Sequence, residues 1–395
     1  MDCGQKGSWR GTGLHGLLWA AVMLLLAAAT CRAQEAAAAE SPRQAAFILE
    51  QEGRNAEAEA AWRSYLGEHP SSSEAYAHLG LLEARQQHYE KAIPLYRKAL
   101  ALHSTLPGLH LNLGLAYFKA GKMKEALEEF SALLTKSAPS SPEQQRLVIL
   151  VGMCHYGLGE FAQAAPYLQK AVSHEPHNSE LLLALAQSYL WSKQYKQVML
   201  TYHAMLQINM ESAEADMLAG EALDAMKDEQ GALQQFRAAV RADPKLPEVH
   251  FGLGYLLWTQ HELPQAAAEF KAELENDPGD AQALTYLGDC DMRLGDSQKG
   301  ALLLRRAIQA NPKIELAYLD LGIMDADAGR RKMALQEMLA AAKIAPNDAN
   351  VDLRLGRLYM AMGDKEKAKA EFEKTSKSMQ SANARLVDMY SAAKK

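Results

Sequence analysis

Small and large apolar residues recur along the chain in a fixed order, with polar residues between them. A small residue returns every 34 residues, apart from one step of 38, and twelve residues later comes a second compact apolar position. Four residues further on stands a large apolar residue. The three series are Gly80, Gly114, Gly152, Ala186, Gly220, Gly254, Gly288, Gly322 and Gly356; Ala92, Ala126, Ala164, Val198, Ala232, Ala266, Gly300, Ala334 and Ala368; and Tyr96, Phe130, Leu168, Tyr202, Phe236, Phe270, Leu304, Met338 and Phe372. A constant period of this length indicates stacked structural repeats.

The spacing within each repeat predicts two helices that pack against each other. Gly254 and Ala266 would let their helices approach to about 8–10 Å, while Phe270 fills the space beside the contact. Pro244 and Pro278 cannot continue a helix, so they end their repeats. A single helix pair leaves an apolar face in water, and stability therefore depends on stacking neighbouring pairs.

Three local departures interrupt the pattern. Glu273 replaces a small packing residue, and Val198 replaces an alanine. The segment 137–142 (SAPSSP) is a loop that holds a four-residue insertion. We expect weaker packing at this loop, but no break between domains.

The signature residues resemble those of the tetratricopeptide repeat (TPR) family. One repeat fills nearly every signature position. Its signature residues are Tyr76, Leu79, Gly80, Tyr89, Ala92, Tyr96 and Ala99. The resemblance implies an all-α fold, an α-solenoid superhelix of about ten helix-turn-helix units. The units are expected near 39–72, 73–106, 107–144, 145–178, 179–212, 213–246, 247–280, 281–314, 315–348 and 349–382.

Segments at both ends lie outside the array of 39–382. Residues 34–38 form an alanine-rich N-terminal tail that we expect to be disordered. Residues 383–395 carry Leu386, Met389 and Tyr390 at helical spacing, which predicts a C-terminal cap helix that covers the last repeat.

The first 33 residues have the layout of a secretory signal peptide. Lys6 and Arg10 precede a short apolar run over 14–29, and small residues flank Arg32. This run is short for a membrane-spanning helix, so we expect cleavage after Ala33 and a secreted or periplasmic protein without a transmembrane helix. An uncleaved anchor and a lipid anchor at Cys31 are the alternatives.

Charge and cysteine content narrow the choice of partners. The formal net charge is −6, and removing residues 1–33, which carry a net +2, changes it to −8. A mildly acidic protein lacks the clustered Lys and Arg that nucleic acid requires. Only Cys154 and Cys290 would remain after cleavage. They occupy equivalent positions four repeats apart, too far for a disulfide, and so should be buried thiols.

The residues that could carry chemistry have simpler structural interpretations. Cys154 lies on the helix-packing side next to His155, which favours a packed pair over a nucleophile. Two acidic clusters, the first of Asp289, Asp291 and Asp296 and the second of Asp320, Asp325 and Asp327, could bind a cation weakly, but a solvated helix face is the expected arrangement. We therefore predict no catalytic residues, no metal site and no cofactor.

The resemblance also implies where a partner would bind. In TPR proteins the first helix of each unit lines a concave groove through its second, fifth, ninth, twelfth and thirteenth positions. Here these positions are unusually apolar and aromatic in the central units, and such exposed surfaces commonly bind other proteins. The predicted groove residues are Leu111, Leu115, Phe118, Ile149, Met153, Tyr156, Leu183, Trp191, Phe251, Tyr255 and Trp258.

The function predicted from these observations is a non-catalytic scaffold for protein–protein interaction. An extended or helical segment of a partner would lie in the groove, in an assembly of the cell envelope or the extracellular space. The alternatives are a module that binds glycans or takes part in polysaccharide export, since aromatic side chains also stack on sugars, and an enzyme whose active site is grafted onto the solenoid.

Overall fold

The computed structural model of the protein describes residues 42–103 and 106–392. The predicted signal peptide and N-terminal tail lie outside the described residues. Every regular element in the described part is an α-helix. The chain forms two compact units, the first ending at Glu175 and the second starting at Pro176.

In each unit the helices follow one another as pairs. The first unit contains α1 (42–51), α2 (Asn55–Glu68), α3 (Ser73–Arg85), α4 (Tyr89–Ala101), α5 (Leu109–Lys119), α6 (Met123–Leu134), α7 (Pro142–Gly157) and α8 (Phe161–His174). The second contains α9 (Ser179–Trp191), α10 (Tyr195–Gln207), α11 (Ala213–Ala225), α12 (Glu229–Ala242), α13 (Val249–Thr259), α14 (Leu263–Asn276), α15 (Ala281–Arg293), α16 (Ser297–Ala310), α17 (Glu315–Asp327), α18 (Arg331–Ile344), α19 (Ala349–Met362) and α20 (Lys365–Ala392).

Short polar residues start many of the first helices of these pairs. The side chains of Ser72, Asn178, Ser212, Asp280 and Asp348 each accept a hydrogen bond from a backbone N–H in the first turn of the following helix. These bonds satisfy N–H groups that have no partner within the helix. The capping residues therefore set the period at which the first helices begin.

The packing contacts follow the predicted series of small and large residues. Odd- and even-numbered helices of a pair pack together, and even-numbered helices also pack on the next pair within each unit, as for α3, α4 and α5 or for α13, α14 and α15. Tyr96, Phe130, Phe270 and Leu304 from the third series are completely buried. This confirms the all-α solenoid arrangement of helix pairs.

The glycines of the first series are required by close contact. A Cβ atom at Gly114 would lie 2.6 Å from Cε1 of Phe130, and one at Gly254 would lie 2.8 Å from Cε1 of Phe270. Real side chains do not approach this closely, so each glycine makes room for the ring of the second helix. The prediction that these residues serve packing is confirmed.

The C-terminal end of the described chain is one long helix. α20 runs from Lys365 to Ala392, so residues 383–392 of the predicted cap helix are helical and continue the second helix of the last repeat. No glycine or proline occurs within this range to break the helix. That this segment covers the last repeat stays a prediction.

The inserted loop has a defined connection on both sides. α6 ends at Leu134, and the Ser141 side chain accepts a hydrogen bond from the backbone N–H of Gln144 at 3.1 Å, so that α7 starts at Pro142. α6 and α7 pack against each other across the loop. The loop lies inside the first unit, and the boundary between the units is elsewhere.

In the part of the chain that the structure describes, no helix is both long and apolar enough to cross a membrane.

Candidate functional site

The predicted groove residues of the first unit lie on α5 and α7. We call Leu111, Leu115, Phe118, Ile149, Met153 and Tyr156 the N-terminal patch. All six are half-buried. Leu111, Leu115 and Phe118 also pack against the core around Phe130. These residues therefore contribute to the core and to the surface at once.

The predicted groove residues of the second unit lie on α9 and α13. We call Leu183, Trp191, Phe251, Tyr255 and Trp258 the C-terminal patch. Trp191 is 62% exposed and Tyr255 is 39% exposed, whereas the other three are half-buried. Among the Trp, Tyr and Phe side chains whose exposure the structure describes, only these two are exposed. Both lie at predicted groove positions.

The rings of α13 form a cluster with Tyr286 of α15. The Tyr255 ring lies 6.2 Å from that of Phe251 and 6.0 Å from that of Trp258. Tyr286 contacts the rings of Tyr255 and Trp258 edge-on, at 5.4 and 5.0 Å. Burial raises the pKa of Tyr286 to about 12, and the nearby Tyr255 adds to the shift. Its hydroxyl therefore stays neutral, and the cluster acts as a rigid apolar support for Tyr255.

Trp258 has structural partners of its own. Its Nε1–H donates a hydrogen bond to Oδ2 of Asp289 at 2.5 Å. The Arg293 guanidinium lies 5.7 Å from the centre of the Trp258 ring and contacts the same Asp289 oxygen at 3.2 Å. Trp258 is thus held between the repeats and is less available to a partner than Trp191 or Tyr255.

An unusual contact fixes the start of α13, the helix that carries three residues of the C-terminal patch. Glu248, which precedes α13, makes no side-chain cap and has a left-handed backbone conformation with φ 66°. Glu273 of α14, only 2% exposed, supplies the missing acceptors. Its carboxylate accepts from the backbone N–H of Glu248 at 3.0 Å and from that of Phe251 at 3.1 Å. The negative charge of the Glu273 carboxylate also stabilises α13, because it lies at the positive, N-terminal end of the helix dipole.

A cavity of about 520 Å³ opens beside the exposed rings of the C-terminal patch. We call it the acidic cavity. Trp191, Phe251 and Tyr255 contribute rings to its wall, and Leu190, Met217 and Leu256 contribute aliphatic surface. Its charged lining residues are Glu221, Asp224, Glu248 and Lys193. The cavity therefore combines exposed aromatic rings with an excess of negative charge.

The carboxylates of the acidic cavity stand at groove positions that the apolar pattern did not select. In the unit near 213–246, Glu221 and Asp224 are the ninth and twelfth residues, and Glu248 is the second residue of the next unit. Burial raises the pKa of Glu221, and the negative charge of Glu248 raises it further. Considering polar as well as apolar residues at the groove positions would have found all three.

A second cavity, of about 1040 Å³, is lined by Trp258 among other residues. We call it the arginine cavity, since Arg293, Arg305, Arg330 and Arg354 line it together with Asp289, Asp320 and Asp327. Burial raises the pKa of Asp320 to about 8, and the charge of Asp289 contributes. Oδ2 of Asp320 has no hydrogen-bond partner. Four arginines thus face three aspartates in this cavity, whereas three carboxylates face one lysine in the acidic cavity.

The expectation that the acidic clusters form solvated helix faces is wrong for three of their six residues. Asp291, Asp320 and Asp325 are buried. Asp325 accepts two hydrogen bonds from Arg330, at 2.6 and 2.9 Å, and Asp291 lies 3.0 Å from the Lys299 ammonium. A buried carboxylate is tolerated when a cation compensates it, and the helix pattern alone does not show that partner. In the described part of the chain, no group of three potential ligands is arranged to hold a metal ion.

The thiols are packed as expected. Cys154 and Cys290 are buried and unpaired. Burial raises the pKa of each thiol to about 12, so both remain protonated and weakly nucleophilic at neutral pH. The adjacent His155 ring stacks on Tyr167 with centres 5.7 Å apart and contacts Glu160 at 2.7 Å. These contacts support the interpretation of Cys154 and His155 as packing residues.

Comparison with known proteins finds related repeats along the chain. Models described as tetratricopeptide repeat or TPR repeat match residues 80–121, 109–141, 155–222, 251–313 and 353–375. The chain is 27% identical over 226 residues to the mouse (Mus musculus) protein named BBSome complex member BBS4, covering 50% of this chain and 44% of that protein. It is 23% identical over 303 residues to anaphase-promoting complex subunit 3 of Schizosaccharomyces pombe, covering 74% of this chain and 44% of that protein.

The chain spans less than half the length of these two relatives. Among solved structures, the chain is similar to YrrB, titled as a TPR protein with an unusual peptide-binding site. That alignment has a TM-score of 0.38 and 21% identity, and it covers 48% of this chain and 96% of YrrB. The five family matches together span more than half of the residues. Their phase agrees with the helix pairs and packing glycines described above, and the chain belongs to the tetratricopeptide repeat family.

Proposed function

We propose that the protein is a non-catalytic scaffold that binds an extended or helical segment of another protein through the first helices of its repeats. The observation that carries this proposal is the pair of exposed rings, Trp191 and Tyr255, on the wall of one cavity. Large aromatic side chains with a rigid support bury much apolar area on binding and lose little conformational freedom. The relatives are named as a complex member and a complex subunit, which supports a role in assembly.

The test compares two double variants that remove equal kinds of exposed apolar surface. Trp191→Ser with Tyr255→Ser alters the C-terminal patch and leaves the anchored Trp258 in place. Leu200→Ser with Leu339→Ser is the control, because these leucines are 66% and 46% exposed on second helices. We expect the first variant to lose partner capture from a native extract and the control to keep it.

Both variants should retain helicity and thermal stability, since none of the four side chains is buried. Equal capture by the wild type and the patch variant would contradict the proposed site. Binding of oligosaccharides without binding of any protein or peptide would support the glycan alternative, for which carboxylates near exposed rings are suitable acceptors of sugar hydroxyl groups.

We also propose that the chain is exported through a signal peptide cleaved after Ala33. This proposal rests on the basic start, the short apolar run and the small residues before the cleavage point. The partner would then be an exported or envelope protein. Mass spectrometry of the N-terminal peptide of the protein from its native source should find Gln34 as the first residue. A lipid-modified Cys31 or an intact N-terminus would contradict the proposal.

A further inference from the structure

The acidic cavity has the composition of a site for an organic cation. Glu221, Asp224 and Glu248 oppose a single lining cation, Lys193. The exposed side chains of Trp191 and Tyr255 line the same cavity. Carboxylates attract a cation by charge, and aromatic faces attract it through the ring quadrupole. An anionic group would be repelled by the three carboxylates.

The carboxylates of the cavity repel one another. Desolvation and repulsion from Glu248 both raise the pKa of Glu221, although its side chain is exposed. A bound cation would relieve this repulsion and favour the ionised form of Glu221.

Glu248 stands directly before α13 with φ 66° and ψ 1°, where the equivalent residue before α5 is Gly108 with φ 76°. Glycine adopts a positive φ without strain. The Glu248 carboxylate does not cap α13, because Glu273 fills that role. The retained side chain instead lines the acidic cavity.

The next repeat contains the proposed type of complex within the chain itself. Arg293 lies over the Trp258 ring at 5.7 Å and contacts the Asp289 carboxylate at 3.2 Å. An aromatic ring, a carboxylate and a guanidinium are therefore already combined at three groove positions of two adjacent repeats. The acidic cavity offers aromatic rings and carboxylates of the same kind, and its rings of Trp191 and Tyr255 are more exposed than that of Trp258.

Building on the proposed function, we infer that the partner segment inserts an arginine or lysine side chain into the acidic cavity, between the aromatic rings of the C-terminal patch and the three carboxylates. The planar guanidinium of arginine suits both the ring faces and the carboxylates, so arginine should be preferred to lysine. Leu190, Met217 and Leu256 provide aliphatic surface for the neighbouring apolar residues of the segment.

The experiment selects binders from a random twelve-residue peptide library displayed on phage, using the full chain as bait. A parallel selection uses Glu221→Gln with Glu248→Gln. The control bait, Glu229→Gln with Glu275→Gln, loses the same two charges from exposed positions on second helices of the second unit, outside the cavity. We expect arginine and lysine to be enriched with the wild-type and control baits but not with the cavity variant.

One selected peptide is then synthesised with its conserved arginine and with citrulline, the neutral isostere. Citrulline should weaken binding to the wild type about tenfold at low salt, and the cavity variant should not distinguish the two peptides. Glu248→Gly provides a variant without backbone strain. It should show the same loss of discrimination at an undiminished melting temperature, which separates binding from folding.

The outcomes distinguish the two proposals. The inference would be overturned if the wild-type binders showed no enrichment of basic residues, or if the enrichment persisted with the cavity variant. The scaffold function would still stand if Trp191→Ser with Tyr255→Ser abolished the binding of these peptides. Failure to recover any binder would overturn both.

Discussion

Replacing Glu273 should destabilise the helix that carries the C-terminal patch. This carboxylate is buried and accepts hydrogen bonds from two backbone N–H groups at the start of α13, at 3.0 and 3.1 Å. A hydrogen bond to a charged group contributes about 1.5–3 kcal/mol, so losing two corresponds to roughly 3–6 kcal/mol. Water can re-bond part of the freed backbone, and we therefore expect Glu273→Ala to lower the unfolding free energy by about 3 kcal/mol.

A graded series makes this prediction specific. Glu273→Gln keeps the shape but offers one acceptor oxygen in place of two, so its effect should lie between that of alanine and that of the wild type. Glu275→Ala, an exposed residue two positions further along α14, should change the unfolding free energy by less than about 0.5 kcal/mol.

Two measurements are needed because long repeat arrays can unfold in parts. Urea denaturation followed by far-UV circular dichroism gives the global change, and the slope must stay constant for the comparison to hold. Amide hydrogen exchange of Glu248 and Phe251 reports the cap directly. Unchanged protection of these two amides in Glu273→Ala would refute the capping argument, whatever the global stability.

The remaining predictions concern a buried acid and a packing glycine. Burial raises the pKa of Asp320 to about 8 from 3.8. Between about pH 4 and pH 8, this carboxyl is therefore protonated in the native state but ionised in the unfolded chain. The unfolding free energy consequently falls as pH rises through that window. Asp320→Asn should flatten this slope and stabilise the protein at pH 7, by at most about 4 kcal/mol, in urea titrations at several pH values; an unaltered slope would contradict the assignment. Gly114→Ala should destabilise by roughly 1–3 kcal/mol, because its Cβ would meet the Phe130 ring at 2.6 Å. Gly67→Ala should instead stabilise by about 0.5–1 kcal/mol, since nothing lies within 4 Å of that helical position. Equal melting temperatures for the two alanine variants would refute the packing role of Gly114.

The linear sequence was sufficient to predict the elements that depend on neighbours along the chain. A helix pair is specified by its own small and large residues, such as Gly254 and Phe270, and each pair packs on the pair next to it. Period, helix ends and buried thiols such as Cys154 could therefore be read without knowing the complete arrangement. The family resemblance, and not the periodicity alone, assigned Trp191 and Tyr255 to groove positions, and both side chains are exposed.

Only the tertiary structure decided how residues from different helices combine. Glu273 stood out in the sequence as a poor packing residue, and its role became clear only where α14 brings it to the uncapped start of α13. Asp325 fitted a solvated face until Arg330 was seen to neutralise it. Glu221 and Glu248 line the same cavity as the rings of Trp191 and Tyr255, and the sequence did not show that these side chains come together. Helix formation and pairing depend on near neighbours, whereas capping across helices, burial of charge and the shape of a cavity depend on distances between side chains that are far apart in sequence.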